Sequence, residues 1–181
     1  MQPLRYVGQV GIVKEATVEE PRSGCPINAA VEALGDHWSL LVLRDMIFGD
    51  RRYFRELHTS SIEGIASNIL ADRLKKLVAA GILSREDAAR GTRARYSLTE
   101  AGIQTLPIIF ALGNWGLDWR DGTSEFRIRQ ELMRNKGHRF IEAFMDELRV
   151  RHLGTAPAKR RGPGPLERLS AAYKQATRDP N

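Results

Sequence analysis

The order of patterns between Cys25 and Trp119 constrains this chain most. Cys25-Pro26 opens a segment in which Ile27, Ala30, Val31 and Leu34 recur at helical spacing before Gly35. Proline suits a first helical turn, where its missing N–H costs nothing. His37 to Phe48 is apolar nearly all round, with Trp38, Leu41, Val42 and Ile47, as a buried central helix must be, and Gly49-Asp50 stops it. Phe54 and Leu57 mark a short helix over Tyr53 to His58, Ser60 to Gly64 turn the chain, and a longer helix is predicted from Ile65 to Ala80, ended by Gly81. Ile82 to Glu86 and Arg93 to Leu98 read as two strands joined by Arg90-Gly91-Thr92. In the second strand, Arg93, Arg95 and Ser97 alternate with Ala94, Tyr96 and Leu98, which assigns the two sets to opposite faces. A closing helix follows from Thr99 to Trp119, with Pro107 expected to kink it by removing a hydrogen bond and crowding the preceding turn. Helix, turn, helix and basic hairpin in this order predict a mainly α fold with a small β-hairpin wing, a winged helix-turn-helix.

Such a fold reads duplex DNA through its second helix. At 100° per residue, Leu70, Leu74, Leu77 and Val78 gather on one side of the Ile65 to Ala80 helix, and Asn68, Ala71, Asp72 and Lys75 on the other. The polar side is the predicted DNA face, and Ser67 and Arg73 of the same helix are counted among the DNA-binding candidates. Asn68 can pair with adenine in the major groove, and Ser67 with a base or a phosphate. Asp72 repels phosphate, so it either accepts from a cytosine amino group or holds Arg73 in position. Arg90, Arg93 and Arg95 lie at the tip and flank of the hairpin, where guanidinium groups meet phosphates or a narrow A·T-rich minor groove. The plainer readings are an ordinary amphipathic helix and a solvated charged strand.

Five separate stretches resemble the HxlR-type transcriptional regulators, relatives of the MarR regulators. They are Cys25-Pro26, Gly35-Asp36-His37-Trp38-Ser39-Leu40-Leu41, Arg51-Arg52-Tyr53-Phe54-Arg55-Glu56-Leu57, Asn68-Ile69-Leu70-Ala71-Asp72-Arg73-Leu74, and Arg95-Tyr96-Ser97-Leu98-Thr99-Glu100-Ala101-Gly102. The resemblance spans about half the chain and implies a homodimer, paired through the closing helix, on an inverted-repeat operator. Trp115 and Trp119 suit that pairing, and a buried contact within one chain explains them equally well. Repression by promoter occlusion is the expected mode, although such families also contain activators. In some relatives a cysteine at the place of Cys25 senses quinones, aldehydes or oxidants. A helix N-terminus favours a thiolate, and Arg22 close by in sequence adds to that, which makes Cys25 a redox-sensing candidate; packing is the simpler alternative. A small-molecule inducer is a further expected partner.

Composition bounds what remains. The chain has 181 residues, 42% of them apolar, enough to bury a core. Its longest apolar runs fall far short of the roughly 20 residues that span a bilayer, so no membrane partner is expected. One cysteine permits no intrachain disulfide, and the N-terminus lacks the apolar core of a secretory signal; both agree with a cytoplasmic location. His37, His58, His138 and His152 form no metal spacing, and neither a phosphate-cradling glycine loop nor a nucleophile elbow is present, so no enzyme, metal or cofactor is expected. The net charge of +6 is unevenly placed: residues 149–181 hold 8 basic and 2 acidic residues, whereas 25–120 hold 12 and 11. DNA affinity must therefore come from clustering of cations rather than from bulk charge, and an interaction module without specific DNA binding is the alternative function. A gel shift with random duplex at low salt separates the two.

The expected organisation is an N-terminal extension over 1–24, the winged domain over 25–120, added helices over 121–153 that could serve dimerisation, and a basic Pro/Gly-rich tail over 154–181. Within the added segment, Phe126 to Met133 and His138 to Leu153 have helical periodicity. Lys159-Arg160-Arg161 lies among prolines and glycines that resist packing, with a weak helix predicted from Leu166 to Ala176. Such a cluster either solubilises the chain or tracks phosphates beside the operator.

Overall fold

The computed structural model describes residues 22–87, 93–157 and 162–178. Along them run α1 (Pro26–Leu34), α2 (His37–Gly49), α3 (Phe54–Thr59), α4 (Ser67–Ala79), β1 (Leu83–Glu86), β2 (Arg95–Leu98), α5 (Glu100–Ile103), α6 (Leu106–Trp119), α7 (Ser124–Lys136), α8 (His138–Leu153) and α9 (Pro165–Arg178). The fold is mainly α with one antiparallel hairpin, a winged helix-turn-helix with added C-terminal helices.

α2 is the central helix, burying Val42, Leu43, Met46 and Ile47. Asp36 caps it by accepting from the backbone N–H groups of Trp38 and Ser39, each at 3.0 Å. Asp50 closes it at φ 48°, in the left-handed region that aspartate tolerates better than most residues. α3 and α4 add Leu57, Leu70, Leu74 and Leu77 to the same core, and Gly81 at φ 68° turns the chain out of α4 into β1. The hairpin pairs Leu83 with Leu98 and Glu86 with Arg95. Tyr53 bridges Arg95 on the other edge of β2, and the Tyr96 N–H donates to the Arg52 carbonyl at 2.8 Å, so the entry to α3 is tied to the wing.

Two local expectations change. The closing helix is two helices rather than one kinked helix: α5 ends at Ile103, and α6 restarts with Pro107 in its first turn, where no N–H is required. The Thr105 hydroxyl, donating to the Gly102 carbonyl at 2.6 Å, holds the step between them. Ser97, which alternation sets on one face with Arg93 and Arg95, is buried, because Arg52 and α8 cover that side of β2.

The helices after residue 121 share the winged domain's core. Phe144 of α8 is fully buried and meets Phe48 of α2 with ring centroids 5.6 Å apart, while Met133, Ile141 and Leu148 continue the same apolar cluster. α9 buries Leu166 and Leu169 and packs against α7 and α8. Its amphipathic spacing, weak in the sequence, matters because α7 and α8 offer an apolar surface to receive it. α1 is the exception, with no buried residue. Among the described residues no helix is long and apolar enough to cross a membrane.

Candidate nucleic-acid interface

α4 presents the predicted face: Ser67, Asn68, Ala71, Asp72 and Lys75 are all exposed, opposite the buried Leu70, Leu74 and Leu77. Arg73 is placed differently. Its side chain is only 20% exposed, and Nε stands 3.2 Å from Asp36 Oδ1, at the cap of α2. Burial raises the Asp36 pKa, but hydrogen bonds from Ser39 and Trp38 together with the Arg73 charge outweigh it and hold the carboxyl below the usual range. Arg73 therefore fastens the recognition helix to the central helix rather than facing outward. Asp72 lies between two cations, 3.7 Å from Arg73 and 3.3 Å from Lys76, which offsets the repulsion it would exert on phosphate.

On the wing, Arg93 just before β2 is exposed, Arg95 at the start of β2 is half-buried, and Arg90 lies outside the described residues. Two buried groups that the sequence reading passed over hold this strand. Arg52, 7% exposed, donates through Nε to the Tyr96 carbonyl at 3.2 Å, through one terminal nitrogen to Ser97 Oγ, and through the other to the Arg151 carbonyl of α8 at 2.9 Å. Burial, then the nearby charge of Arg95, lowers its pKa. His152 of α8 accepts from the Leu98 N–H through Nδ1 at 3.2 Å. Burial first, and the charge of Arg52 second, push its pKa down to about 4, so the ring is neutral at physiological pH, as an acceptor must be. The sequence signal for Arg52 was its place in the Arg51–Leu57 stretch that resembles the family, and for His152 its position on the apolar side of α8.

Cys25 is the N-cap residue of α1 and is exposed. Arg22 is drawn toward Glu32, its Nε 3.7 Å from Oε1, rather than being reserved for the thiol. Trp115 and Trp119 are 52% and 68% exposed, so burial within the chain does not account for them; the Arg120 guanidinium lies over the Trp115 ring at 4.6 Å. Among the described residues no group of three His, Cys, Asp or Glu side chains gathers as a metal site would require.

Residues 33–124 match the model of the HxlR-like helix-turn-helix family. An HTH-type transcriptional regulator of Synechocystis sp., sll1512, is 35% identical over 101 residues, covering 55% of this chain and 73% of that protein. YybR, an HTH-type transcriptional regulator of Bacillus subtilis, is 31% identical over 109 residues, 59% of this chain and 84% of its own. Among solved structures, PA1607, a candidate transcription factor, superimposes with a TM-score of 0.51 at 34% identity, over 57% of this chain and 70% of that one. With the helix-turn-helix, the hairpin and the family match falling on the same residues, the chain belongs to the HxlR-like helix-turn-helix family of DNA-binding transcriptional regulators.

Proposed function

We propose that the protein is a promoter-binding repressor that acts in the cytoplasm as a homodimer on an inverted repeat. The observation that carries this reading is the polar face of α4, open to solvent beside the Arg93 and Arg95 flank of the wing. Ser67, Asn68, Ala71, Asp72 and Lys75 enter the major groove, Asn68 reading adenine, while Arg93, Arg95 and Arg90 take phosphates. Pairing is supported by apolar side chains left open on two helices, Ile27 and Val31 on α1 and Ile108, Leu112, Trp115 and Trp119 on α6. Two equivalent α4 helices on one side of the duplex require half-site centres about 10 bp apart, or a multiple of that.

The exposed position of Cys25 on α1 supports a redox or electrophile response, because a modified thiol there would act on the helix proposed to pair the protomers. Genome-wide footprinting combined with sedimentation tests the whole reading. Inverted repeats at promoters and a dimer at micromolar concentration are expected; a monomer with undiminished operator affinity would overturn the dimer. For the thiol, diamide should lower operator affinity in the wild type and not in Cys25→Ser, and equal responses would leave Cys25 without a sensing role.

A further inference from the structure

A cleft of about 610 Å³ opens between α2, α6 and α7, within the range of small-ligand sites. Leu41, Phe48, Ile109, Leu112, Leu117 and Met133 line it with apolar surface. Its cations are unequally satisfied. Arg44 and Arg51 both contact Asp45, at 2.8 and 2.7 Å, and Arg44 also reaches Glu63. Arg127 contacts Glu131 at 3.8 Å and the Leu117 carbonyl at 3.3 Å. Arg129 differs: its guanidinium stacks on Tyr173 at 4.0 Å, and its Nε is buried without a hydrogen-bond acceptor among the described residues. Stacking uses the face of a guanidinium and leaves its in-plane N–H donors to be met by something else. Burial, and then the neighbouring charges of Arg51 and Arg44, depress the Arg129 pKa, a cost to the cation that an anion in the cleft would relieve.

We propose that this cleft binds a small organic acid, one carboxylate on an aromatic or acyl body, with the carboxylate paired to Arg129 and the body on the apolar lining. Arg120, also on the lining, donates to the Trp119 carbonyl at 2.7 Å and lies over the Trp115 ring, so among the described lining residues Arg129 alone keeps a buried donor unmet. One such group calls for a single anionic head, and an apolar lining disfavours a heavily hydrated polyanion. Arg129 and Tyr173 lie beyond the family match, which ends at residue 124, so the anion-pairing end of the cleft comes from this chain's added helices while most of the apolar lining comes from α2 and α6. Because α2 packs on both α6 and α4, an occupant that sets the spacing of α2 and α6 would also act on the recognition helix. That regulatory consequence rests on the promoter-binding reading above; the binding itself does not.

The test is calorimetric titration of the full chain, without DNA, using 2-naphthoate, the uncharged 2-naphthylmethanol and 2-naphthyl phosphate. Naphthoate should bind once per chain and at least about tenfold more tightly than the alcohol. Arg129→Gln should abolish that preference while leaving the alcohol's affinity unchanged. Gly116→Phe should remove binding of both while leaving the sedimentation coefficient unchanged, since Gly116 lines the cleft and a Cβ there meets nothing within 4 Å of this chain; altered association in that variant would place Gly116 on the pairing face and overturn the cleft. Circular dichroism on each variant checks that it is folded. The proposal is overturned if the acid and alcohol bind alike, if Arg129→Gln keeps the preference, or if the phosphate ester binds more tightly than the acid. Binding that vanishes as protein concentration rises would mean that a second copy covers the cleft, which overturns it equally. Operator binding is measured separately by gel shift, so failure of either reading is told apart from failure of the other.

Discussion

Asn68 and Arg73 share one helix and serve different ends: Asn68 faces solvent and Arg73 faces the cap of α2. Asn68 is exposed for base reading, and Asn68→Ala should relax preference at one base pair by about 1 to 3 kcal/mol without lowering thermal stability. Arg73 holds Asp36, so Arg73→Gln should lower the melting temperature and leave the slope of log K against log salt unchanged. A flattened slope in that variant would return Arg73 to the DNA face. His152 gives a pH signature. Its folded pKa of about 4 lies below the ordinary 6.5, so between those values the unfolded chain binds a proton that the folded chain does not. Its contribution is complete above pH 6.5 and is lost as pH falls toward 4, by up to about 3 kcal/mol. His152→Gln keeps an acceptor for the Leu98 N–H but cannot titrate. Urea midpoints of wild type and variant should therefore converge as pH falls from 7 to 4.5, and parallel curves would refute the assignment.

At the scale of elements, the wing is held from two sides. Arg93 is exposed at its flank and Arg95 half-buried; on the reading that both take phosphates, replacing them by Ala should weaken binding to all sequences alike and reduce the salt slope by about 0.9 per lost phosphate contact. An unchanged slope would place these residues off the DNA. Its base is different: Arg52 ties β2 to the turn before α3 and to the end of α8. The charge is buried among three acceptors, so Arg52→Ala should cost about 2 to 4 kcal/mol and loosen β2 even without DNA, which hydrogen exchange at Tyr96 and Leu98 would detect. Full protection of those amides in the variant would remove Arg52 from its positioning role.

For the whole molecule, the packing of α7, α8 and α9 decides how the C-terminal half can be tested. Phe144 joins the added helices to α2, so Phe144→Ala should cost about 3 to 5 kcal/mol and melt the winged domain and added helices in one transition. Two separate transitions by calorimetry would show independent units. Cutting after Leu153 would strip Leu166 and Leu169 from the core, mixing any electrostatic effect of the tail with loss of stability. Whether Lys159-Arg160-Arg161, all outside the described residues, track phosphates or only solubilise the chain is better tested by charge-removing substitutions. On the phosphate-tracking reading, these should weaken specific and random binding by a similar factor at low salt only.

Periodicity and breakers were sufficient for α1 to α4, the hairpin and the bounds of α8, because each is set by local spacing of apolar residues and by a cap such as Asp36 or a stop such as Gly81. The exposed face of α4 was legible for the same reason: its buried side repeats at Leu70, Leu74 and Leu77. The roles of Arg73, Arg52, Ser97 and His152 were not, since each depends on a partner 37 to 99 residues away that local pattern does not encode, from Asp36 beside Arg73 to the Arg151 carbonyl beside Arg52. Nor could spacing show that α9 would pack, because an amphipathic stripe becomes a buried face only where other helices present a surface to it. The sequence by itself determined the helix-turn-helix and wing, written in short-range alternation. Only the tertiary structure decided which arginines face outward and where a cleft remains, because burial and charge pairing are properties of surfaces brought together from distant parts of the chain.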